Sequence, residues 1–148
     1  MRIKKEKPTE EHLRFLAENL RKCDVKEILA GSGMDTLKSL QRSVAVSTES
    51  YVGTIGGQAI LIYGVQKEKD CACVWLLATE EVEKHKISFI KQGKEIIKEF
   101  KEKYGMLYNL VYDENETTKR WLEYMGAAFA NNAKPFGVKQ EKFRFFIF

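Results

Sequence analysis

The residues able to do covalent or metal chemistry are few and scattered. Cys23, Cys71 and Cys73 are the only cysteines, and His12 and His85 the only histidines. Zinc sites take four Cys or His ligands in paired clusters. These residues, strung out from position 12 to position 85, do not make such a set, and no metal is expected. An odd cysteine count argues against a disulfide framework and for a reducing compartment. Cys71 and Cys73 stand two apart in an apolar run, which in a strand puts both on one face; all three thiols read as buried small apolar residues. Cys23 has no histidine close in sequence to activate it. The chain holds no Gly-x-x-x-x-Gly-Lys phosphate loop, no Gly-x-Ser-x-Gly elbow and no His-Glu-x-x-His pair.

Charge is the next candidate chemistry. Lys86, Lys91, Lys94, Lys98 and Lys101 could form a basic helix face, and a phosphate-binding face would lose affinity steeply with salt. The excess is small, however: 25 Lys and Arg against 21 Asp and Glu, net +4. The signs alternate, as in Lys98-Glu99-Phe100-Lys101-Glu102-Lys103. A committed nucleic-acid binder concentrates its charge on one face, so a solvated helix face is the expectation and nucleic acid is not an expected partner. No apolar stretch approaches the roughly 20 residues of a membrane helix. The charged start Met1-Arg2-Ile3-Lys4-Lys5-Glu6-Lys7 has no apolar run behind it, so no secretory signal is expected. The expectation is a protein acting in the cytoplasm where it is made, or in a particle into which it is loaded.

The elements that must position these residues follow from spacing. The 148 residues, 44% hydrophobic with nine Phe, six Tyr and two Trp, suffice for a single domain, 1–148, with a sizeable core. Pro8 suits a first helical turn, and Leu13, Leu16, Ala17 and Leu20 form one helical face behind it. A short helix over Asp24–Ala30 ends at Gly31-Ser32-Gly33, and Asp35 is placed to cap a third helix carrying Leu37 and Leu40. Two strands, Tyr51–Ile55 and Gln58–Tyr63, flank a Gly56-Gly57 turn. Cys71–Leu77 is nearly continuously apolar, as a central strand is. The long helix that follows carries Ile87, Ile90, Ile97, Phe100 and Tyr104 on its apolar face and ends at Gly105. Met106–Tyr112 is a further strand, Asp113–Glu116 turns into a helix with Trp121, Leu122 and Met125, and Gly126 closes it. Ala127–Ala130 and Phe143–Phe148 read as two closing strands joined by a polar loop around Pro135 and Gly137. A strand, a long helix and another strand favour a parallel pair with a right-handed crossover. The fold class is therefore α/β: a mixed central sheet, an antiparallel meander plus a parallel central pair, with helices on both faces.

This order, over Val74–Phe129, resembles the GNAT superfamily of acyl-CoA-dependent N-acetyltransferases. In that family a bulged central strand splays from its neighbour and hands over to a helix whose N-terminus holds the coenzyme pyrophosphate. Leu107–Asn115 followed by Trp121–Ala127 resembles its later strand and helix, with Asn115 and Gly126 at the usual spacing of eleven. A closer likeness is to a GNAT-like family of internal virion proteins of short-tailed phages. It rests on Val74-Trp75-Leu76-Leu77-Ala78-Thr79, the lysine-rich helix, Asn115, Arg120-Trp121-Leu122 and Gly126-Ala127-Ala128-Phe129. The resemblance implies a GNAT-like sheet, acetyl-CoA or CoA as the coenzyme and virion or host proteins as partners. It also implies a coenzyme site of Leu77, Ala78, Lys84, Lys86, Ser88 and Asn115.

The residues depart from the family pattern in two places. The phosphate signature is Arg or Gln, two residues, Gly, one residue, then Gly or Ala. Here Glu83-Lys84-His85-Lys86-Ile87-Ser88 holds neither glycine and starts with an acid. Lys84, His85 and Lys86 could replace backbone contacts with point charges, or form a solvated first turn. The general-acid Tyr expected seven residues after Asn115 is Leu122. Tyr124 faces elsewhere on the helix, Tyr108 and Tyr112 could stand in, and no catalytic residue is assigned. Asn115 either contacts a pantetheine arm or caps its helix; Trp75 either lines an acyl pocket or packs in the core. Three functions follow: a phage virion protein with a degenerate acyl-CoA site and no standard acetyl transfer, an active N-acyltransferase on a protein or small-molecule amine, or a binding protein using the basic helix face.

Overall fold

The computed structural model describes residues 2–148. The chain runs through β1 (Lys4–Glu6), α1 (Glu10–Asn19), α2 (Lys22–Gly31) and α3 (Thr36–Val46). It continues through β2 (Glu49–Ile55), β3 (Gln58–Lys67), β4 (Cys71–Ala78), a 3-10 segment (Glu80–His85) and α4 (Lys86–Tyr104). It closes with β5 (Met106–Tyr112), α5 (Glu116–Tyr124), β6 (Ala128–Phe129), β7 (Lys134–Phe136) and β8 (Glu141–Ile147). Eight strands form one sheet in the order β1-β2-β3-β4-β5-β8-β6, with β7 also on β8. β1 to β4 are antiparallel, β4 and β5 are parallel, and β8 returns antiparallel to β5. The mixed α/β sheet with a parallel central pair is thus as the spacing predicts.

Local chemistry accounts for the boundaries. Thr9 caps α1 through His12 N–H at 3.1 Å, with His12 Nδ1 accepting from Thr9 N–H in return. Pro8 therefore precedes the cap instead of entering the first turn. Asp35 caps α3 as expected, accepting from Lys38 N–H. Gly56 and Gly57 take φ of 58° and 80°, the left-handed pair that a two-residue hairpin demands. Gly105 closes α4 at φ 82°.

Helices cover both faces. On one, Leu13 and Leu16 of α1 and Leu40 of α3 pack on Val52, Ile62 and Leu77. On the other, Phe89 and Phe100 of α4 pack on Leu61, Ala78, Ala72 and Leu107. Trp121 of α5 joins this second face, edge-on to Phe89 at 4.7 Å. Gly64 lets β3 pass under Trp75, because a Cβ there would stand 2.7 Å from the indole Nε1. That nitrogen is held by Ser47 Oγ at 2.8 Å, so the ring is not loose. Gly64→Ala is expected to cost about 1–3 kcal/mol, read as a lower urea midpoint at unchanged m.

Several expectations need correction. Ile87 is 87% exposed: at about 100° per residue it lies roughly 140° around α4 from Phe100, off the buried face on which Phe89 sits instead. The thiols are half-exposed, not buried. Cys71 and Cys73 sit where β4 is paired with the first residues of β5, near the end of the sheet. The polar loop around Pro135 contains strand β7, paired to β8. The charged start contains edge strand β1, on which Thr54 Oγ1 donates to Glu6 Oε2 at 2.5 Å.

Candidate functional site: the splay between two parallel strands

β4 and β5 pair only at Cys71–Met106, Ala72–Leu107 and Cys73–Tyr108. Beyond these rungs the strands part, and Asn109 sits in the fork: its Nδ2 donates to Val74 C=O at 2.6 Å and its Oδ1 accepts from Leu110 N–H at 2.7 Å. From there Val74–Ala78 and Asn109–Tyr112 diverge as the arms of a V.

Helix α2 lies across the open end. Asp24 Oδ2 accepts from Ala78 N–H at 2.9 Å, and Ala78 C=O accepts from Arg21 N–H at 2.9 Å. Three residues on, one turn further along the same helix face, Glu27 Oε1 accepts from Tyr112 N–H at 2.8 Å. One carboxylate thus holds each arm. Arg21 supplies the counter-charge: Nε and Nη2 bind the two Asp24 oxygens at 3.0 and 2.8 Å, and Nη2 also donates to Thr118 Oγ1 at 3.1 Å. The guanidinium lies 4.2 Å from the Trp121 ring centroid. Arg21 and Asp24 are 2% and 1% exposed. Burial pushes the Asp24 carboxyl upward against the pull of Arg21 and Ala78 N–H. It pushes Glu27 up to about 7, despite the Tyr112 N–H that favours its charged form.

The residues named from sequence are brought only partly to this place. Ala78 is fully buried, with both backbone groups bound by α2. Leu77 turns to the opposite face, among Leu13, Leu16 and Leu40. Lys84 and Lys86 are exposed and paired with the chain's own glutamates, Glu81 at 3.2 Å and Glu83 at 3.1 Å. Ser88 lies half-buried in the first turn of α4. Asn115 caps α5, its Oδ1 accepting from Thr118 N–H at 3.2 Å, while its buried Nδ2 has no partner. Leu122 faces an apolar cavity and Tyr124 is 60% exposed. The two tyrosines that could replace a general acid are engaged by carboxylates: Tyr108 donates to Glu68, and Tyr112 to Glu114 and Glu141. Those bonds raise both phenols well above the ordinary tyrosine range. Among the described residues no group of three or more His, Cys, Asp or Glu could hold a metal.

Arg21, Asp24, Glu27 and Asn109 were not singled out from sequence. Their one sequence signal is the spacing Arg21-x-x-Asp24-x-x-Glu27, which sets three charges on one face of a short helix.

An acyl-CoA coenzyme does not fit this arrangement. Of the strand-edge groups that could hold a pantetheine arm, Ala78 N–H and C=O, Tyr112 N–H and Val74 C=O are bonded to Asp24, Arg21, Glu27 and Asn109. A pyrophosphate needs unpaired N–H groups and close backbone approach at a helix start. Here Thr79 N–H is bonded to Ile60 C=O, Val82 N–H to Thr79 C=O and Glu81 N–H to Thr79 Oγ1. Glu80, Glu81 and Glu83 crowd the same turn. Among the described residues two buried donors at the fork have no hydrogen-bond partner, Arg21 Nη1 and Asn115 Nδ2, and Asn115 lies close enough to Glu27 to favour its charged form.

Comparison with known proteins places this geometry. Residues 43–133 match the family described as bacteriophage T7, probable scaffold protein Gp13. The chain belongs to that family. The expected phage kinship therefore holds, and the Gp13 match runs from α3 through β6, so it includes the whole V of β4 and β5. Among solved structures the fold is that of GNAT acetyltransferases. The ribosomal-protein-alanine N-acetyltransferase of Brucella melitensis superposes with a TM-score of 0.70 at 15% identity, over 98% of each chain. The spermidine N-acetyltransferase of Vibrio cholerae, in complex with CoA and spermine, gives 0.73 at 9% identity over 99% of this chain and 95% of that one. A phosphinothricin acetyltransferase from Sinorhizobium meliloti, in complex with acetyl-CoA, gives 0.66 at 12% over 100% and 88%. Comparison with curated proteins gives no match. This Gp13-family chain thus has the GNAT frame with its own helix laid across the strand fork.

Proposed function

We propose that this chain is a virion-assembly or internal virion protein in which the acetyltransferase frame is kept for its shape and does not perform standard acetyl transfer. The observation that carries this reading is α2 in the fork, with Asp24 and Glu27 bound to the backbone of the two arms. The absent phosphate glycines, the glutamates of the 3-10 segment and Leu122 in place of a tyrosine support it. So does membership of a family described as a probable scaffold protein. Its partners are then other virion proteins or host proteins, met in the cytoplasm of the host cell or within the particle. Among the described residues no helix is long and apolar enough to cross a membrane.

The test is calorimetric titration with acetyl-CoA and with CoA, at low and at moderate salt. No binding up to millimolar coenzyme is expected. Micromolar binding would overturn the reading and favour an active N-acyltransferase on a protein or small-molecule amine. Lys84, Lys86 and Ser88 would then meet the phosphates and Asn115 Nδ2 the pantetheine arm, beside Leu77 and Ala78. Reversing the charge of Lys84 and Lys86 would abolish that binding.

A further inference from the structure

A cavity of about 500 Å³ lies between α4, α5 and the sheet; it shares the Val74–Leu76 part of the β4 arm with the fork, while Arg21, Asp24, Glu27 and Ala78 line none of it. Its walls include Leu61, Leu76, Phe89, Phe100, Leu122 and Phe146. Native cores seldom leave voids larger than a water molecule, whereas small-ligand sites run to about 300–1,000 Å³ with apolar walls and a few polar groups. Its size and apolar walls fall in the range of such sites.

Its polar groups are gathered at one end. Gln92 of α4 grips Ile3 from both sides, accepting from its N–H and donating to its C=O, each at 2.8 Å. This clamp fixes the start of β1 at the rim, with Arg2, Lys4, Lys5, Glu95 and Glu99 around it. Both carboxylates are already paired, Glu95 with Arg2 at 3.7 Å and Glu99 with Lys103 at 3.4 Å. Lys5 lies over the Tyr51 ring at 4.3 Å, and among the described residues neither Lys4 nor Lys5 has a carboxylate partner within salt-bridge distance. The unneutralised charge at the rim is therefore positive.

We propose that this cavity binds a medium-chain alkyl carboxylate, with the chain along the underside of α4 and the headgroup at Lys5, which shares the face of Ile3 on β1. A dry apolar cavity of about 150 Å³ accommodates one benzene; at that ratio about 500 Å³ has room for up to roughly twenty carbons, ample for a chain of ten to twelve. The cavity shares Val74–Leu76 and Leu122 with the place a coenzyme would take, so the two readings are told apart by ligand: micromolar CoA binding would sink the functional reading above, and dodecanoate binding that survives saturating CoA is expected here.

Trp121 stacks edge-on at 4.7 Å against Phe89, a wall of the cavity, whereas the Trp75 ring lies on the opposite face of the sheet among Leu13, Leu16 and Leu40. Titrating the full chain with 12-bromododecanoate is expected to give saturable quenching at one molecule per chain, leaving the Trp75 emission. Calorimetry with dodecanoate is expected to show a tenfold or greater affinity loss in Leu122→Trp. Lys5→Glu should weaken dodecanoate several-fold and leave dodecanol unchanged. If Leu122→Trp does not fold, Ile97→Trp fills the same space from α4. Vesicles of dilauroyl phosphatidylglycerol distinguish the source: one lipid taken up per chain with Trp121 quenched by its brominated form extends the proposal to lipid chains. Adsorption to vesicles without quenching, unsaturable quenching, or no quenching by millimolar ligand overturns it.

Discussion

Arg21→Ala should destabilise the chain by about 3–5 kcal/mol, the loss expected when one partner of a buried ion pair is removed and the other stays charged and dry. In a chain of this length that is a fall in melting temperature on the order of 10 °C. The size follows from what Arg21 does at 2% exposure. It neutralises both oxygens of Asp24, holds Thr118 of α5 and covers the face of Trp121. Without it the Asp24 carboxylate, left with Ala78 N–H as its partner, must ionise without compensation or take up a proton. The companion variant separates charge from packing. Arg21→Met with Asp24→Asn removes both charges but keeps an oxygen for Ala78 N–H, so that no backbone donor is orphaned. It should recover more than half of the loss at pH 7. Arg21→Met alone keeps the bulk against Trp121 but leaves Asp24 charged; if urea unfolding finds it as stable as the double variant, the loss in Arg21→Ala comes from bulk and not from the uncompensated charge.

How much of this was legible in sequence depends on whether a feature is local. Gly56-Gly57, Asp35 and Gly105 are turn and cap chemistry, decided within a few residues, and each is where its spacing predicts. The apolar run of β4 marks a strand buried on both faces, and it is the central one. Edge strands carry no such mark. β1 is Lys4-Lys5-Glu6, the charged type of sequence that keeps an edge from pairing with other chains, and β7 holds Pro135, tolerated because an edge strand has unpaired positions. The lost phosphate glycines could be read directly because they are a matter of residue type. The closing of the fork could not. Asp24 and Glu27 look like the solvent face of a ten-residue helix until β4 and β5 part and leave Ala78 and Tyr112 N–H groups needing acceptors. That demand exists only in the assembled sheet, 54 and 85 residues away along the chain.

The same demand makes the clasp sensitive to pH, and the direction can be worked out. Glu27 has a folded-state value of about 7 against an ordinary 4.5, so between these limits the folded chain binds more protons than the unfolded one. Stability therefore falls as pH rises from about 4.5 to about 7 and is level above that. At 1.36 kcal/mol per unit the full penalty is at most roughly 3 kcal/mol. Glu27→Gln keeps an oxygen for Tyr112 N–H and removes the ionisation. It should leave stability at pH 4 unchanged, raise it at pH 8 by up to that amount and flatten the slope between. The raised carboxyl of Asp24 leaves a residual slope of the same sign in the variant. Asp113 and Glu49, held below their ordinary values by Arg144 and by Tyr104 respectively, act at the acid end with the opposite sign. Urea midpoints for both chains from pH 4 to 8 read the difference directly, and parallel profiles would remove Glu27 as its source. A local readout connects this to the fork. If Glu27 holds the β5 arm, exchange of the Tyr112 amide should speed up from pH 6 to 8 beyond its intrinsic base catalysis, while the amides of β2 and β3, which pair strand to strand, should not. A clasp that loosens at neutral pH while the strands behind it stay paired is a part of this fold that can yield without unfolding the sheet.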